Sequence, residues 1–244
     1  MTALLIDSSN AICRAYYGRA GGQAHAVPQV LCEVVWSLQH RFQAEHVIAA
    51  LDDTRNFRQS LYESYKGHRT PKPADLTHLL TQAAELMGAA GAIPALAPNH
   101  EADDVMGTLA RRAPGRAVIV TSDRDLFSAV TETVQVYEPR SRTVITVADV
   151  QARFGVSPER IPLFKSLCGD SSDNIPGVRG LGEKAASVLA AQCGTVDEIF
   201  ERVSTFDRRY QKALLAADPM EIRLFHQLAT VRTDAPVARV PLRR

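Results

Sequence analysis

Five sequence segments place carboxylates where they could act together: Asp7, the pair Asp52-Asp53, the cluster Glu101-Ala102-Asp103-Asp104, the pair Asp123-Arg124-Asp125, and Asp170-Ser171-Ser172-Asp173. Oxygen-only ligand sets select hard cations such as Mg²⁺ or Mn²⁺ over zinc. Two such ions about 4 Å apart can activate a water and stabilise both the attacking and leaving oxygens of a phosphodiester displacement. No segment carries the alternating loop with a distal Glu that defines an EF-hand. A HAD-type phosphatase would need a second Asp two residues after the first, and position 9 is Ser. Each group alone has a plainer explanation: Asp after a strand caps helices, and acids in a first helical turn oppose the macrodipole. Convergence is what argues for chemistry, because clustered carboxylates repel unless cations neutralise them or some keep a proton.

The elements that must position these groups follow from the apolar pattern. Runs at 3–6, 47–51, 118–121 and, more weakly, 134–137 read as strands, and the first three are nearly continuous, as in a parallel sheet covered on both faces. Helical spacing marks 30–42, 76–87 and 105–112, with Gly88 and Gly91 expected to end the second. Alternation of strand and helix predicts an α/β fold. Asp7, Asp52-Asp53 and Asp123/Asp125 then fall at C-terminal strand ends, along the edge where such sheets bind ligands. From 157 to 225 the pattern is helices joined by Gly- and Pro-bearing turns, and an extended tail is expected over 237–244.

Cations and glycines lie where a polyanion would need them. Arg55-Asn56-Phe57-Arg58 and Tyr65-Lys66-Gly67-His68-Arg69 follow the second strand end, and Arg14, Tyr16 and Tyr17 follow the first. Aromatic rings among cations can stack on an unpaired base. The segment Gly177-Val178-Arg179-Gly180-Leu181-Gly182-Glu183-Lys184 reads as a hairpin between helices whose backbone N–H groups can approach a phosphate. Net charge over 244 residues is only +1, a total that hides any acidic pocket beside a basic track. Four cysteines without a C-x-x-C pair argue against zinc or a disulfide framework and for reduced thiols in the cytoplasm. The start Met1-Thr2-Ala3-Leu4-Leu5-Ile6-Asp7 lacks the features of a signal peptide or membrane helix.

Together these residues resemble the 5′ nuclease family of flap endonucleases, phage 5′ exonucleases and the N-terminal domain of bacterial DNA polymerase I. The likeness runs from about residue 4 to 191 and more loosely to 233, carried by Glu101-Ala102-Asp103-Asp104, Gly169-Asp170-Ser171-Ser172-Asp173-Asn174-Ile175-Pro176-Gly177-Val178 and the basic motif 65–69. It implies a PIN-like, Rossmann-like core over 1–156 with a basic arch-like segment at 55–98. A helix-hairpin-helix module of H2TH type, often with bound K⁺, would follow over 157–236. By matching motif, Asp7, Asp52, Glu101, Asp103 and Asp104 would serve a first metal ion. Asp123, Asp125, Asp170 and Asp173 would serve a second. Lys66 and Arg69 would contact the scissile phosphate, with Arg58 and Tyr65 supporting. Arg14, Tyr16, Arg55, Gly177, Arg179, Gly180, Gly182 and Lys184 would meet DNA. The implied reaction acts on 5′ flaps, nicks or recessed 5′ ends in replication or repair and leaves a 5′-phosphate. The expected enzyme is a stand-alone, monomeric bacterial-type member with neither membrane nor small-molecule substrate.

Departures exist: the family's Asp-Gly-Ser start reads Asp7-Ser8-Ser9, and Thr-Gly-Asp-Lys-Asp reads Thr121-Ser122-Asp123-Arg124-Asp125. A shorter loop from Asp52 to Phe57 leaves Asp52 and Asp53 as alternatives, with Asp52 favoured. Two other readings stay open: a PIN-type ribonuclease, and a branched-DNA-binding protein without catalysis, against which the full carboxylate set argues.

Overall fold

The computed structural model describes residues 1–238 and 240; positions 239 and 241–244 of the expected tail lie outside the described residues. The chain divides into two compact units. The first holds Met1–Asn56, Thr70–Ile145 and the segment from Arg232; the second holds Phe57–Arg69 and Thr146–Val231. The second unit thus includes Phe57–Arg69, which holds the basic motif 65–69, as well as the helical stretch from Thr146.

The first unit is built on a six-stranded sheet of β1 (Thr2–Asp7), β2 (His46–Ala50), β3 (Ile93–Ala95), β4 (Arg116–Val120), β5 (Val134–Glu138) and β6 (Thr143–Ile145), in the order β3-β2-β1-β4-β5-β6. All pairings are parallel except β5 with β6. Leu5 lies level with Ile48 on one side and Ile119 on the other, and all three are essentially without solvent contact. That explains the continuous apolar runs: a strand covered on both faces has no side on which to place polar residues. β3 and β6 escape sequence reading because each has three residues, too few to show a period. Pro94 is tolerated in β3 because that strand is an edge.

Helices of this unit are α1 (Ser8–Tyr17) and α2 (Val27–Phe42), with three more described below; α3 (Phe57–Leu61) belongs to the other unit. α2 turns Val27, Val30, Leu31, Val35, Leu38 and Phe42 to the core at three- and four-residue spacing. The helix expected over 76–87 is two, α4 (Ala74–Thr81) and α5 (Ala83–Ala89), broken where Gln82 leaves helical geometry at φ −98°, ψ 13°. Gly88 lies inside α5, whereas Gly91 at φ +93° turns the chain away. α6 (Ala102–Arg112) completes the set.

The second unit contains α7 (Val147–Phe154), α8 (Ile161–Cys168), α9 (Glu183–Gln192), α10 (Val196–Glu201), α11 (Arg208–Leu215) and α12 (Pro219–Ala229). α8 is its spine, with Ile161, Leu163, Phe164 and Leu167 buried against α9 and α12. Between α8 and α9 the turn closes on itself: Asp170 and Ile175 exchange both backbone hydrogen bonds at 2.8 Å, and Val178 N–H donates to Leu167 O at 2.8 Å. Gly169 (φ +84°) and Gly177 (φ +71°) cross so closely that a Cβ on Gly177 would stand 2.3 Å from Gly169 N. Only glycine fits either place. Among the described residues no helix is long and apolar enough to cross a membrane.

Candidate active site

The sheet order makes the acidic edge. β1 lies between β2 and β4; the chain leaves β1 for β2 on one side and later returns to β4 on the other. That reversal opens a crevice at the C-terminal strand ends. Asp7 ends β1 and caps α1, one carboxylate oxygen accepting from Asn10 N–H at 2.9 Å and the other from the Thr121 hydroxyl at 2.9 Å. Asp52, two residues past β2, accepts from the Ser9 hydroxyl at 2.6 Å and from Ala102 N–H, the first residue of α6, at 2.9 Å. Past β4, Thr121 Oγ1 takes the Asp123 N–H at 3.0 Å, and Asp123 takes the Asp125 N–H at 2.9 Å.

Burial pushes the Asp7 carboxyl up to about 7; the Asp52 charge is the next contributor and Asp123 adds to it, against the lowering effect of the Asn10 and Thr121 hydrogen bonds. Three carboxylates from three adjacent strands thus share one field. Among the described residues no three His, Cys, Asp or Glu side chains close into a ready ligand cage. Hydrogen bonds instead pin the acids where their charges still oppose one another. Such a set fits a hard divalent cation, which would relieve the repulsion through oxygen ligands.

Of the adjacent pair, Asp52 is the one whose charge reaches Asp7. Asp53 turns away from Asp7, and the Asn99 N–H from the turn before α6, 2.8 Å away, with the backbone N–H groups and hydroxyl of 54–55, holds its carboxyl below the usual range. Glu101 caps α6 and forms a reciprocal capping box with Asp104. Asp104 has no solvent exposure, and its two oxygens accept from Glu101 N–H at 3.3 Å and Arg232 N–H at 2.8 Å. It fastens the start of α6 to the returning chain. Asp103 and Asp125 are half-buried.

Within the second unit the basic motif gathers around one acid. Asp173, 2% exposed, accepts from the Tyr65 hydroxyl at 2.8 Å and from Arg69 at 3.1 Å, with Lys66 Nζ 3.8 Å away. Tyr65 is itself buried, so it orients this group and does not stack on a base. Asp170 pairs with Lys165 Nζ at 2.6 Å. Burial raises the Asp170 carboxyl, but the Lys165 ammonium and the Ser172 N–H and hydroxyl outweigh it and hold the group at about 2.

Two of the expected residues are buried and hydrogen-bonded within their own unit. Arg58 is 3% exposed and donates to Leu228 O at 2.9 Å and Thr230 O at 2.7 Å, closing the C-terminal end of α12. Arg58→Ala is expected to cost about 3 kcal/mol in urea denaturation, the value of two charged hydrogen bonds less the relaxation that water allows. A loss below about 1 kcal/mol would contradict this fastening role. Tyr16 is 6% exposed and donates to Asp75 at 2.9 Å; its neighbour Tyr17, 62% exposed, holds the surface position. Arg14, Arg55, Arg179, Gly180, Gly182 and Lys184 are exposed and Gly177 is half-buried, which leaves the remaining DNA-facing candidates accessible.

Sequence reading missed Ser9, Thr121 and Lys165. Lys165 did carry a signal: a lone lysine within the apolar run of α8 needs a buried partner, and Asp170 is five residues away. Ser9 and Thr121 carried none, because their partners are distant in sequence.

Residues 2–155 match the model of the 5′-3′ exonuclease N-terminal resolvase-like domain, and 156–242 that of the 5′-3′ exonuclease C-terminal SAM fold. The thermostable DNA polymerase I of Thermus filiformis is 34% identical over 241 residues, covering 96% of this chain and 29% of the relative. The chain therefore spans less than a third of the length of that curated relative. Among solved structures, bacteriophage T5 5′-exonuclease with bound divalent metal ions (zinc) superposes with a TM-score of 0.81 at 20% identity, covering 94% of this chain and 89% of that one. The T5 flap endonuclease in a pseudo-enzyme-product complex with DNA and metal ions gives 0.74 at 20% identity over 96% and 89%. These two likenesses establish the same fold: a mostly parallel sheet flanked by helices, followed by a helical domain. With both family models matched in order along the chain, the protein belongs to the 5′-3′ exonuclease family.

Proposed function

We propose that this chain is a metal-dependent 5′ nuclease that hydrolyses DNA phosphodiesters at 5′ flaps, nicks or recessed 5′ ends. The observation that carries the reading is the convergence of Asp7, Asp52 and Asp123 on one sheet edge, close enough that Asp7 is raised to about 7. Asp7, Asp52, Glu101 and Asp103 would hold a first divalent cation, and Asp123 with Asp125 would contribute to a second. Mg²⁺ and Mn²⁺ suit these oxygen ligands, and the metal-bearing T5 relatives support the assignment. Such ions supply, when bound, an acidified water and neutralisation of phosphate charge.

The chain's own residues then do three things. Ser9 and Ala102 N–H fix both oxygens of Asp52, so its direction is set before any ligand arrives. Thr121 fixes Asp7 in the same way. Lys66 and Arg69 supply cations for the substrate phosphate, held in place by Asp173 until that phosphate competes for them.

A labelled 5′-flap DNA tests the reading. Cleavage in Mg²⁺ or Mn²⁺, release of a product bearing a 5′-phosphate and silence in chelator are expected. Folded protein that binds the flap and cuts nothing in either metal would replace this reading with a non-catalytic, branch-recognising one. Faster cutting of an RNA flap than of its DNA counterpart would transfer it to ribonuclease chemistry.

A further inference from the structure

The ladder between β1 and β4 runs in register from Thr2 opposite Arg116 to Ile6 opposite Val120 and stops there. The next pair in that register is Asp7 opposite Thr121. On its other side Asp7 is still within the ladder, opposite Ala50 of β2. Thr121 sends its N–H away from β1, to Tyr137 O at 3.3 Å. Where backbone pairing of the two central strands ends, a side-chain bond replaces it: the Thr121 hydroxyl donates to Asp7 Oδ2 at 2.9 Å.

That hydroxyl has a second partner. The Asp123 N–H lies 3.0 Å from Thr121 Oγ1. An N–H can only donate, so the hydroxyl accepts there and its one proton is left for Asp7. Thr121 has no solvent exposure, so no water competes for either bond. A longer bridge runs beside it: Ser122 Oγ donates to Asn10 Oδ1 at 3.4 Å, and the Asn10 N–H donates to Asp7 Oδ1 at 2.9 Å. The restraints on Asp52, from Ser9 and the Ala102 N–H, tie it to α1 and α6. They leave the gap between β1 and the loop after β4 to Thr121 and the weaker Ser122 bridge.

We infer that Thr121 is a positioning residue that sets the spacing of Asp7 and Asp123, and thereby the size of the cation the crevice accepts. Mg²⁺ takes oxygen ligands at about 2.0–2.1 Å in near-ideal octahedral geometry. Ca²⁺ takes them at about 2.3–2.6 Å, in larger number and with flexible geometry. Acids that can spread apart accommodate the larger ion. Acids tied through one buried hydroxyl cannot, because selectivity between these ions depends on the size and rigidity of the site. The inference rests on the nuclease reading for its assignment of divalent cations to these acids.

Melting curves and calorimetric titrations of the full chain with Mg²⁺ alone or Ca²⁺ alone, without DNA, measure the affinity for each ion. Thr121→Val keeps the side-chain shape and removes the hydroxyl. Its Mg²⁺ affinity should fall by about 10–100-fold, the usual effect of losing a group that orients a ligand, and its Ca²⁺ affinity by about threefold or less. The ratio of Mg²⁺ to Ca²⁺ affinity should therefore shrink by at least about threefold. Thr121→Ser, which keeps the hydroxyl, should restore it. General loosening of the fold would weaken both ions alike and leave the ratio unmoved. If Thr121→Val does not fold, Thr121→Ala serves, because the space it opens lets a water satisfy Asp7 and the Asp123 N–H; the ratio should shrink in the same sense. A parent that binds neither ion, an unchanged ratio in a folded hydroxyl-free variant, or no recovery in Thr121→Ser would overturn the inference. A hydroxyl-dependent ratio in a protein that cuts no flap would leave this inference standing and remove the nuclease reading; an unchanged ratio beside intact Mg²⁺-dependent cleavage would do the reverse.

Discussion

If the proposed nuclease reading holds, Asp7→Asn, which removes a ligand of the proposed first cation, should lower flap cleavage by about a thousandfold, and in chelator it should make the protein more stable. The stability effect follows from proton counting. Folded Asp7 is raised to about 7, while in the unfolded chain it titrates near its ordinary 3.8. Between those values the folded state holds a proton that the unfolded state has released, so rising pH favours unfolding. The penalty is absent below about pH 4, grows through pH 4–7 and is complete above about 7. A three-unit displacement corresponds to an upper limit of about 4 kcal/mol. Asn keeps an acceptor for Asn10 N–H and can donate to Thr121, so most of the penalty is removed without a new one. Melting curves in chelator should show the variant some 5 °C or more above the parent at pH 8, and no higher at pH 4. Mn²⁺ should raise the parent's Tm more than the variant's, because cations bind the folded site. Parallel Tm–pH curves for the two proteins would sink the assignment of Asp7 as a buried, charge-opposed ligand.

Asp173→Asn, the same change in chemistry, should move stability the other way. Here the carboxylate is 2% exposed and is shared by Tyr65, Lys66 and Arg69. Neutralising it takes the common counter-charge from two cations and weakens the bond from the Tyr65 hydroxyl. Arg69 is half exposed, so water compensates in part, and a loss of about 2–3 kcal/mol in urea denaturation is expected. On the proposed role of Lys66 and Arg69 in positioning a phosphate, turnover should fall by about a hundredfold or more, since misplacing such a group by an ångström has that effect. On the same proposed role of Lys66 and Arg69 as phosphate contacts, flap affinity in chelator should rise, because the carboxylate that competes for these two cations is neutralised. Opposite signs for affinity and turnover separate a positioning role from simple unfolding. A variant with unaltered stability would show that Asp173 does not organise the basic motif.

The contrast between these two aspartates shows where sequence reading stops. Residue order by itself determined the parallel sheet, because strands buried on both faces must be apolar without interruption, as 3–6, 47–51 and 118–121 are. It also determined that Asp7, Asp52 and Asp123 end strands, and that Gly169 and Gly177 mark a turn between helices. Those are local facts, carried by a few consecutive residues. Tertiary structure alone decided which strands are neighbours, and hence that β2, β1 and β4 bring their acids to one crevice. It separated Asp52, which faces Asp7, from Asp53, which faces Asn99. It showed Arg58 and Tyr16 buried and hydrogen-bonded, although in sequence both sit among exposed, basic or aromatic residues. The reason is common to all three cases. A side chain's partner lies across 43 to 172 residues of sequence in the bonds Ser9–Asp52 and Arg58–Thr230, and periodicity reports which face a residue occupies but not what stands opposite that face.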